Sequence, residues 1–211
     1  MTAEVDFVKI ASLVLALMIA IIGHEIMHGF AAYRYGDTTA KDEGRLSINP
    51  IVHIDPLGTI AVPLLLFLTN APFLFGWAKP VPIDSYRVLQ RGGFFGMFNV
   101  SMAGIYFNLI MAFVASFLLG AVDNMLVNTV LFYLVIYNVI LAMFNLLPIP
   151  PLDGSKAISY LGMIFGSDKP ARFFYKIERY GMVILIIFLI SPLNGYFFSY
   201  ADALIRWMIF G

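Results

Sequence analysis

Apolar residues run almost unbroken from Ile10 to Tyr33, interrupted by Ser12 and, near the end, by His24, Glu25 and His28. A membrane crossing needs about 20 apolar residues, so this run predicts one spanning helix over about Asp6 to Tyr35. Gly36-Asp37 ends it, with Gly as the C-cap. Residues 37–56 turn polar and mixed. Leu46, Ile48, Val52 and Ile54 alternate there with polar positions, which predicts a short strand or hairpin, and Pro50 leaves it with an unpaired edge. Leu57 to Phe75 is apolar again but carries Gly58, Pro63 and Pro72. Gly76 to Asp84 reads as extended and proline-rich. Two helices are predicted over about Phe94–Val122 and Met125–Leu147, joined at Asp123-Asn124. The run Pro148 to Gly154 stops the second. Residues 155–180 mix charge with aromatics, notably from Arg172 to Tyr180, and predict an amphipathic segment at a membrane interface. Two last apolar runs, about Tyr180–Leu193 and Tyr196–Phe210, flank Pro192-Leu193-Asn194-Gly195.

Composition agrees with this pattern. The 211 residues are 61% apolar, 16% aromatic and 12% charged, against about 45–50% apolar and about 25% charged in a soluble domain. The expected fold is an all-α membrane protein. It is a polytopic helical bundle of five or six apolar segments, one of them re-entrant, with short β-hairpin or extended segments near the active site. One domain over residues 1–211 is expected. Glu4 and Asp6 spoil a secretory n-region, so the first run reads as a retained membrane helix. A formal net charge of zero gives no electrostatic case for nucleic acid. Cysteine is absent, which leaves His, Asp and Glu as metal ligands.

That leaves the polar residues inside the first run. His24 and His28 are four apart, so on a helix they stand one turn above each other on one face. Two imidazoles so placed can point at one metal ion. Glu25 is offset by about 100°, which suits a general base acting on water better than a ligand. His-Glu-x-x-His on a helix is the zinc-hydrolase signature, and such groups are costly in an apolar run without a task. A catalytic zinc usually takes three protein ligands. The third has several candidates beside apolar segments: His53, Asp55, Asp84, Asp123 and Asp153. Asp153 is the strongest, because it directly follows a membrane helix in a turn whose prolines fix the backbone and whose Gly154 permits a close approach. His53 reads equally as a loop histidine or a substrate contact. Asn108 reads as an interhelical hydrogen-bonding residue, and Asn145 fits either that role or substrate binding.

The residues also carry a resemblance. His24-Glu25-x-x-His28 in a membrane helix, with Asn145-Leu146-Leu147-Pro148-Ile149-Pro150-Pro151-Leu152-Asp153-Gly154 far downstream, resembles the site-2 protease family of intramembrane zinc metalloproteases. The stretches Gly44 to Gly58 and Gly76 to Pro82 resemble its compact bacterial branch without accessory domains. The resemblance covers about residues 8–160. It implies one Zn2+ per chain on His24, His28 and Asp153, Glu25 as catalytic base, and Asn145 near the scissile carbonyl or the substrate strand. It also implies a transmembrane protein or peptide substrate, with the lipid bilayer as surroundings and the bacterial inner membrane as location. One departure is visible: the family's third-helix motif Ala-Gly-Pro-x-x-Asn reads Ala103-Gly104-Ile105-Tyr106-Phe107-Asn108 here, which touches helix shape more than chemistry. The competing classes are a metal transporter and an inactive protein that binds or retains membrane helices. Oligomeric state has no signal in the sequence.

Topology adds a condition. For His24, His28 and Asp153 to meet, the first helix and Met125–Leu147 must run in the same direction. One return crossing, Phe94–Val122, suffices, so Leu57–Phe75 is expected to be re-entrant or interfacial. The same parity gathers Arg34, Lys41, Arg45, Lys79, Arg87, Arg91, Lys156, Lys169, Arg172, Lys176 and Arg179 on one side. By the positive-inside rule that side is cytoplasmic, which puts the N-terminus outward and the site nearer the cytoplasm. A substrate segment, locally unwound, is expected to pair with the edge near Leu46–Ile54 or with Trp77–Ile83.

Overall fold

A computed structural model describes residues 3–70 and 76–211, with side chains from Phe7 onward. Among these residues three helices are long and apolar enough to cross a membrane: α1 (Ala3–Arg34), α4 (Ser85–Leu118) and α5 (Met125–Asn145). They pack against one another in all three pairs. The central seam is built from Ala16, Ala112 and Ala115 with Leu134, Val135 and Val139. Alanines there let backbones approach closely, which matters where lipid supplies no hydrophobic drive between helices. A second cluster, Ala32, Val88, Met97 and Val100, joins the end of α1 to α4. The short helices α2 (Thr39–Asp42) and α3 (Val62–Leu68) lie in the connection between α1 and α4.

Helix α4 begins earlier than the pattern predicts. Asp84 caps it, accepting from the N–H groups of Tyr86 at 3.0 Å and Arg87 at 3.3 Å. The helix then breaks at Gly93 (φ 57°, ψ −155°) before the spanning part. Only glycine adopts that backbone region without strain, so Gly92-Gly93 marks a kink rather than a helix start. Buried Asp37 ties this end to α1: its Oδ2 accepts from Asp84 N–H at 2.7 Å.

The expected hairpin is absent, and among the described residues no segment is a strand. Residues 44–61 instead form two capped turns. Asn49 Oδ1 accepts from Ile51 N–H at 3.1 Å and starts a 3-10 turn over Pro50–His53. Asp55 Oδ1 accepts from Leu57 N–H at 2.9 Å and Gly58 N–H at 2.7 Å, starting a π-helical turn over Pro56–Ala61. A capping Asn or Asp followed by Pro at the first helical position starts a helix, and it overrides the short alternation of Leu46 and Ile48. Residues 76–84, expected to be extended, form neither helix nor strand.

The expected segment Leu57–Phe75 lies within the described residues only as far as Asn70. Pro56–Leu68 is an apolar helix of six residues plus seven, about 20 Å at 1.5 Å per residue, against a hydrocarbon core of about 30 Å. The chain also comes back to where it left. Trp77 N–H donates to Gly58 O at 3.1 Å, and the Thr59 hydroxyl donates to Trp77 O at 2.9 Å. An excursion that begins and ends at one level does not carry the chain across.

After α5 the chain turns into α6 (Asp153–Ile164), which packs on α4, and α7 (Lys169–Ile177), which packs on α6. Helix α7 is the expected amphipathic segment; its Arg172 pairs with Asp168 at 2.6 Å. Helices α8 (Gly181–Ile190) and α9 (Leu193–Phe210) are apolar and meet at a 75° bend beside Pro192. The stretch Lys169–Ile190 and Leu193–Phe210, counted as one bent span, makes a fourth, so the described residues hold three to four candidate spans among their apolar segments.

Labelling of Asn70→Cys and Tyr86→Cys in sealed membranes tests the re-entrant path. Both are expected to react with an impermeant maleimide from the same side; reaction from opposite sides would contradict it.

Candidate metal centre

The convergence begins on α1. His24 and His28 lie one turn apart with their rings edge to face, centroids 4.7 Å apart. Helix α5 ends at Asn145, and the turn 146–152 brings Asp153 back as the first residue of α6. Gly154 makes that return possible, since a Cβ there would meet the carbonyls of Leu146 and Leu147. Asp153 Oδ2 then lies 3.0 Å from His24 Nε2 and 3.0 Å from His28 Nε2, and the two Nε2 atoms are 3.0 Å apart. All three residues are buried and together could hold a metal ion.

Helix α4 fixes which way the imidazoles face. His28 Nδ1 lies 2.7 Å from Val100 O, and His24 Nδ1 lies 2.6 Å from Asn108 Oδ1. Both partners are carbonyl oxygens and can only accept, so each Nδ1 carries a proton and each ring turns its Nε2 toward Asp153. Three such atoms at mutual spacings of 3.0 Å in a buried site need positive charge among them, a proton on Nε2 or a metal cation. Two imidazole nitrogens and one carboxylate oxygen, each imidazole held by an outer hydrogen bond, form a donor set that fits a divalent metal.

Val100, Gly104 and Asn108 recur every four residues and share one face of α4. A Cβ on Gly104 would run into the His24 ring, so the absent side chain is the space the imidazole fills. Burial works to raise the Asp153 carboxyl, but the bonds to His24 and His28, with the Lys156 ammonium 3.2 Å from Oδ1, outweigh it. Its pKa therefore falls well below the usual carboxylate range, and the group is ionised.

Glu25 is half-buried beside this trio but not part of it. Its Oε2 accepts from Val81 N–H at 3.0 Å. Val81 sits between Pro80 and Pro82, which have no N–H, so it offers the one backbone donor of residues 80–82 to Glu25. This proline-rich segment is held from its other side as well. Lys79 N–H donates to His53 O at 2.9 Å, and buried Arg45 donates to Lys79 O at 2.8 Å and Pro80 O at 3.3 Å. Gly29 lets Leu46 and Val81 pack directly on α1.

The other candidates stand outside the trio. His53 is buried, its Nε2 2.8 Å from Ser47 O, within the loop. Asn145 Nδ2 donates to Leu141 O of its own helix at 3.0 Å. Asp55 and Asp84 are helix caps. Asn108, read from the sequence as interhelical, does bond between helices, and one of its partners is the His24 ring. Its spacing from Gly104, a gap and then an amide on one face, was the available signal.

Residues 120–188 match peptidase family M50. YwhC of Bacillus subtilis (strain 168), named as a candidate zinc metalloprotease, is 36% identical over 194 residues, which cover 87% of this chain and 82% of YwhC. Two proteins named Rip2, also candidate zinc metalloproteases, are each 28% identical. That of Mycolicibacterium smegmatis (strain ATCC 700084 / mc(2)155) aligns over 83% of this chain and 66% of its own length. That of Mycobacterium tuberculosis (strain ATCC 25618 / H37Rv) aligns over 86% and 68%. No solved structure shows a significant match. The apolar helices and these relatives define a membrane metalloprotease. The chain belongs to peptidase family M50, the site-2 protease family.

Gly104→Ala should push the His24 ring off its position. We expect metal affinity, measured by competition with a chelator, to fall at least about tenfold, the usual loss when a ligand's support is disturbed. Unchanged affinity would mean that the ring is not held where the structure places it.

Proposed function

We propose that this protein is an intramembrane zinc endopeptidase acting as a single domain. One zinc is held by His24, His28 and Asp153, with Glu25 as general base, and the substrates are membrane proteins cut within or near their transmembrane segments. The observation that carries this reading is the meeting of three metal-facing atoms at 3.0 Å spacings, with a separately held carboxylate one residue along α1. Tetrahedral zinc with bonds of about 2.0–2.1 Å spaces its ligand atoms roughly 3.3 Å apart, close to what these side chains offer.

Zinc, when bound there, polarises a scissile carbonyl and eases ionisation of water. The protein's own groups do the rest. Glu25 takes the proton of the attacking water and returns it to the leaving amide nitrogen. Val81 N–H holds Oε2, which fixes the carboxylate and leaves Oε1 for the proton. Asn108 and Val100 keep the imidazoles in one tautomer throughout. Asn145 and His53 take no part in the proton transfers in this reading; a contact of either with substrate is compatible with it.

The substrate must unwind before it reacts, because a helical peptide carbonyl is already hydrogen-bonded and shielded. The Trp77–Ile83 stretch is not an open edge, since its Trp77, Lys79 and Val81 N–H groups and its Lys79 and Pro80 carbonyls are engaged. A substrate strand pairing there has to displace one of these bonds. By the positive-inside rule the basic loops support a site toward the cytoplasmic face, with the N-terminus outward, in a bacterial inner membrane.

Glu25→Gln separates base from ligand. We expect zinc content equal to wild type and cleavage of a co-reconstituted single-span membrane protein reduced by about 10²–10⁴-fold, the usual worth of a general base. Cleavage at the wild-type rate would remove Glu25 from the mechanism.

A further inference from the structure

Asn138 lies in the middle of α5, fully buried, on a helix that contributes no ligand to the trio. An amide in a membrane helix often serves only to join neighbours. This one is the end of a directed relay. Its Nδ2 donates to Leu134 O, one turn back on α5, at 2.8 Å. That bond leaves Oδ1 facing α4, where it accepts from Asn108 Nδ2 at 2.8 Å. The same Nδ2 of Asn108, also fully buried, donates to Ala20 O on α1 at 3.1 Å. Both amide protons of Asn108 are thereby used, so its Oδ1 is turned to His24 Nδ1 at 2.6 Å.

Each bond has a sign, and the signs are coupled. If Asn108 turned over, its oxygen would face Ala20 O and Asn138 Oδ1, two acceptors, and its NH2 would face His24 Nδ1. His24 would then have to carry its proton on Nε2, where the metal-facing lone pair is needed. Asn138 could follow only by turning its own oxygen onto Leu134 O. Without Asn138, Ala20 O alone resists the turn.

We propose that Asn138 is a positioning residue of the metal centre: it fixes the amide of Asn108 and, through it, the tautomer of His24. The inference rests on the metal-binding role proposed above. It makes the packing of α5 against α4 a determinant of metal retention, although Asn138 touches no ligand.

The test uses the full chain in detergent, loaded with Co2+ in place of the native metal, and reads the release of Co2+ to EDTA together with the visible absorption of the bound ion. Asn138→Leu keeps the branched side-chain shape, with more bulk, and removes both bonds. It is expected to release Co2+ at least about tenfold faster, with an altered spectrum. Asn138→Asp, protonated in apolar surroundings, keeps an acceptor toward Asn108 and a donor toward Leu134. It is expected to stay within about threefold of wild type. If Asn138→Leu does not fold, Asn138→Ser, too short to bridge Asn108 and Leu134, should show the same fast release. Wild-type release and spectrum in the folded Leu or Ser variant would overturn the proposal, as would equally fast release from Asn138→Asp. Wild type that takes up no Co2+ would instead sink the metal site itself, and a wild type that holds Co2+ separates the two failures.

Discussion

Two imidazoles can aim their Nε2 lone pairs at one point only if something else takes their Nδ1 protons. Here both are taken by α4: Val100 O holds His28, and Asn108 Oδ1 holds His24. Much of the rest follows from this requirement. Helix α4 must pass close to α1, so Gly104 faces the His24 ring and alanines fill the seam below. It must also pass in a set rotation, with residues 100, 104 and 108 toward α1, and the packing of α5 against both helices keeps it there.

The second constraint is one of level. Asp153 reaches the histidines only because α5 runs parallel to α1 and its following turn folds back tightly on Gly154. One return crossing between them is required, and α4 provides it. The excursion through Pro56–Leu68 returns to its origin through the Gly58–Trp77 bond and leaves that parity intact. The excursion and the proline-rich segment after it give Glu25 its Val81 N–H partner. Two sets of forces thus meet at the site: interhelical hydrogen bonds orient the His24 and His28 rings, and a proline-flanked loop holds the Glu25 carboxylate beside them.

The parts legible in the sequence are those with local causes. His24 and His28 share a face because of the helix period, and Asp153 stands out because prolines and Gly154 define its turn. The membrane helices follow from unbroken apolar length. The hairpin reading fails because Asn49-Pro50 and Asp55-Pro56 are helix starts, and a cap followed by proline outweighs two alternating apolar residues. The early start of α4 has a local signal too, in the cap Asp84, but Gly92-Gly93 obscures it. Asn138 has no such signal, and Asn108 has only its spacing from Gly104. Their roles depend on how three helices are rotated against one another, and an asparagine in an apolar run looks the same whether it joins helices or orients a ligand.

The central claim is that His24, His28 and Asp153 form one metal site, and metal analysis tests it most directly. Wild type and Asp153→Ala are purified, adventitious ions are washed out, and zinc is measured per chain. The account predicts about one zinc in wild type and severe loss in the variant, since a ligand contacting the ion directly has gone. A well-folded wild type without zinc, or a variant that keeps its zinc, would contradict it.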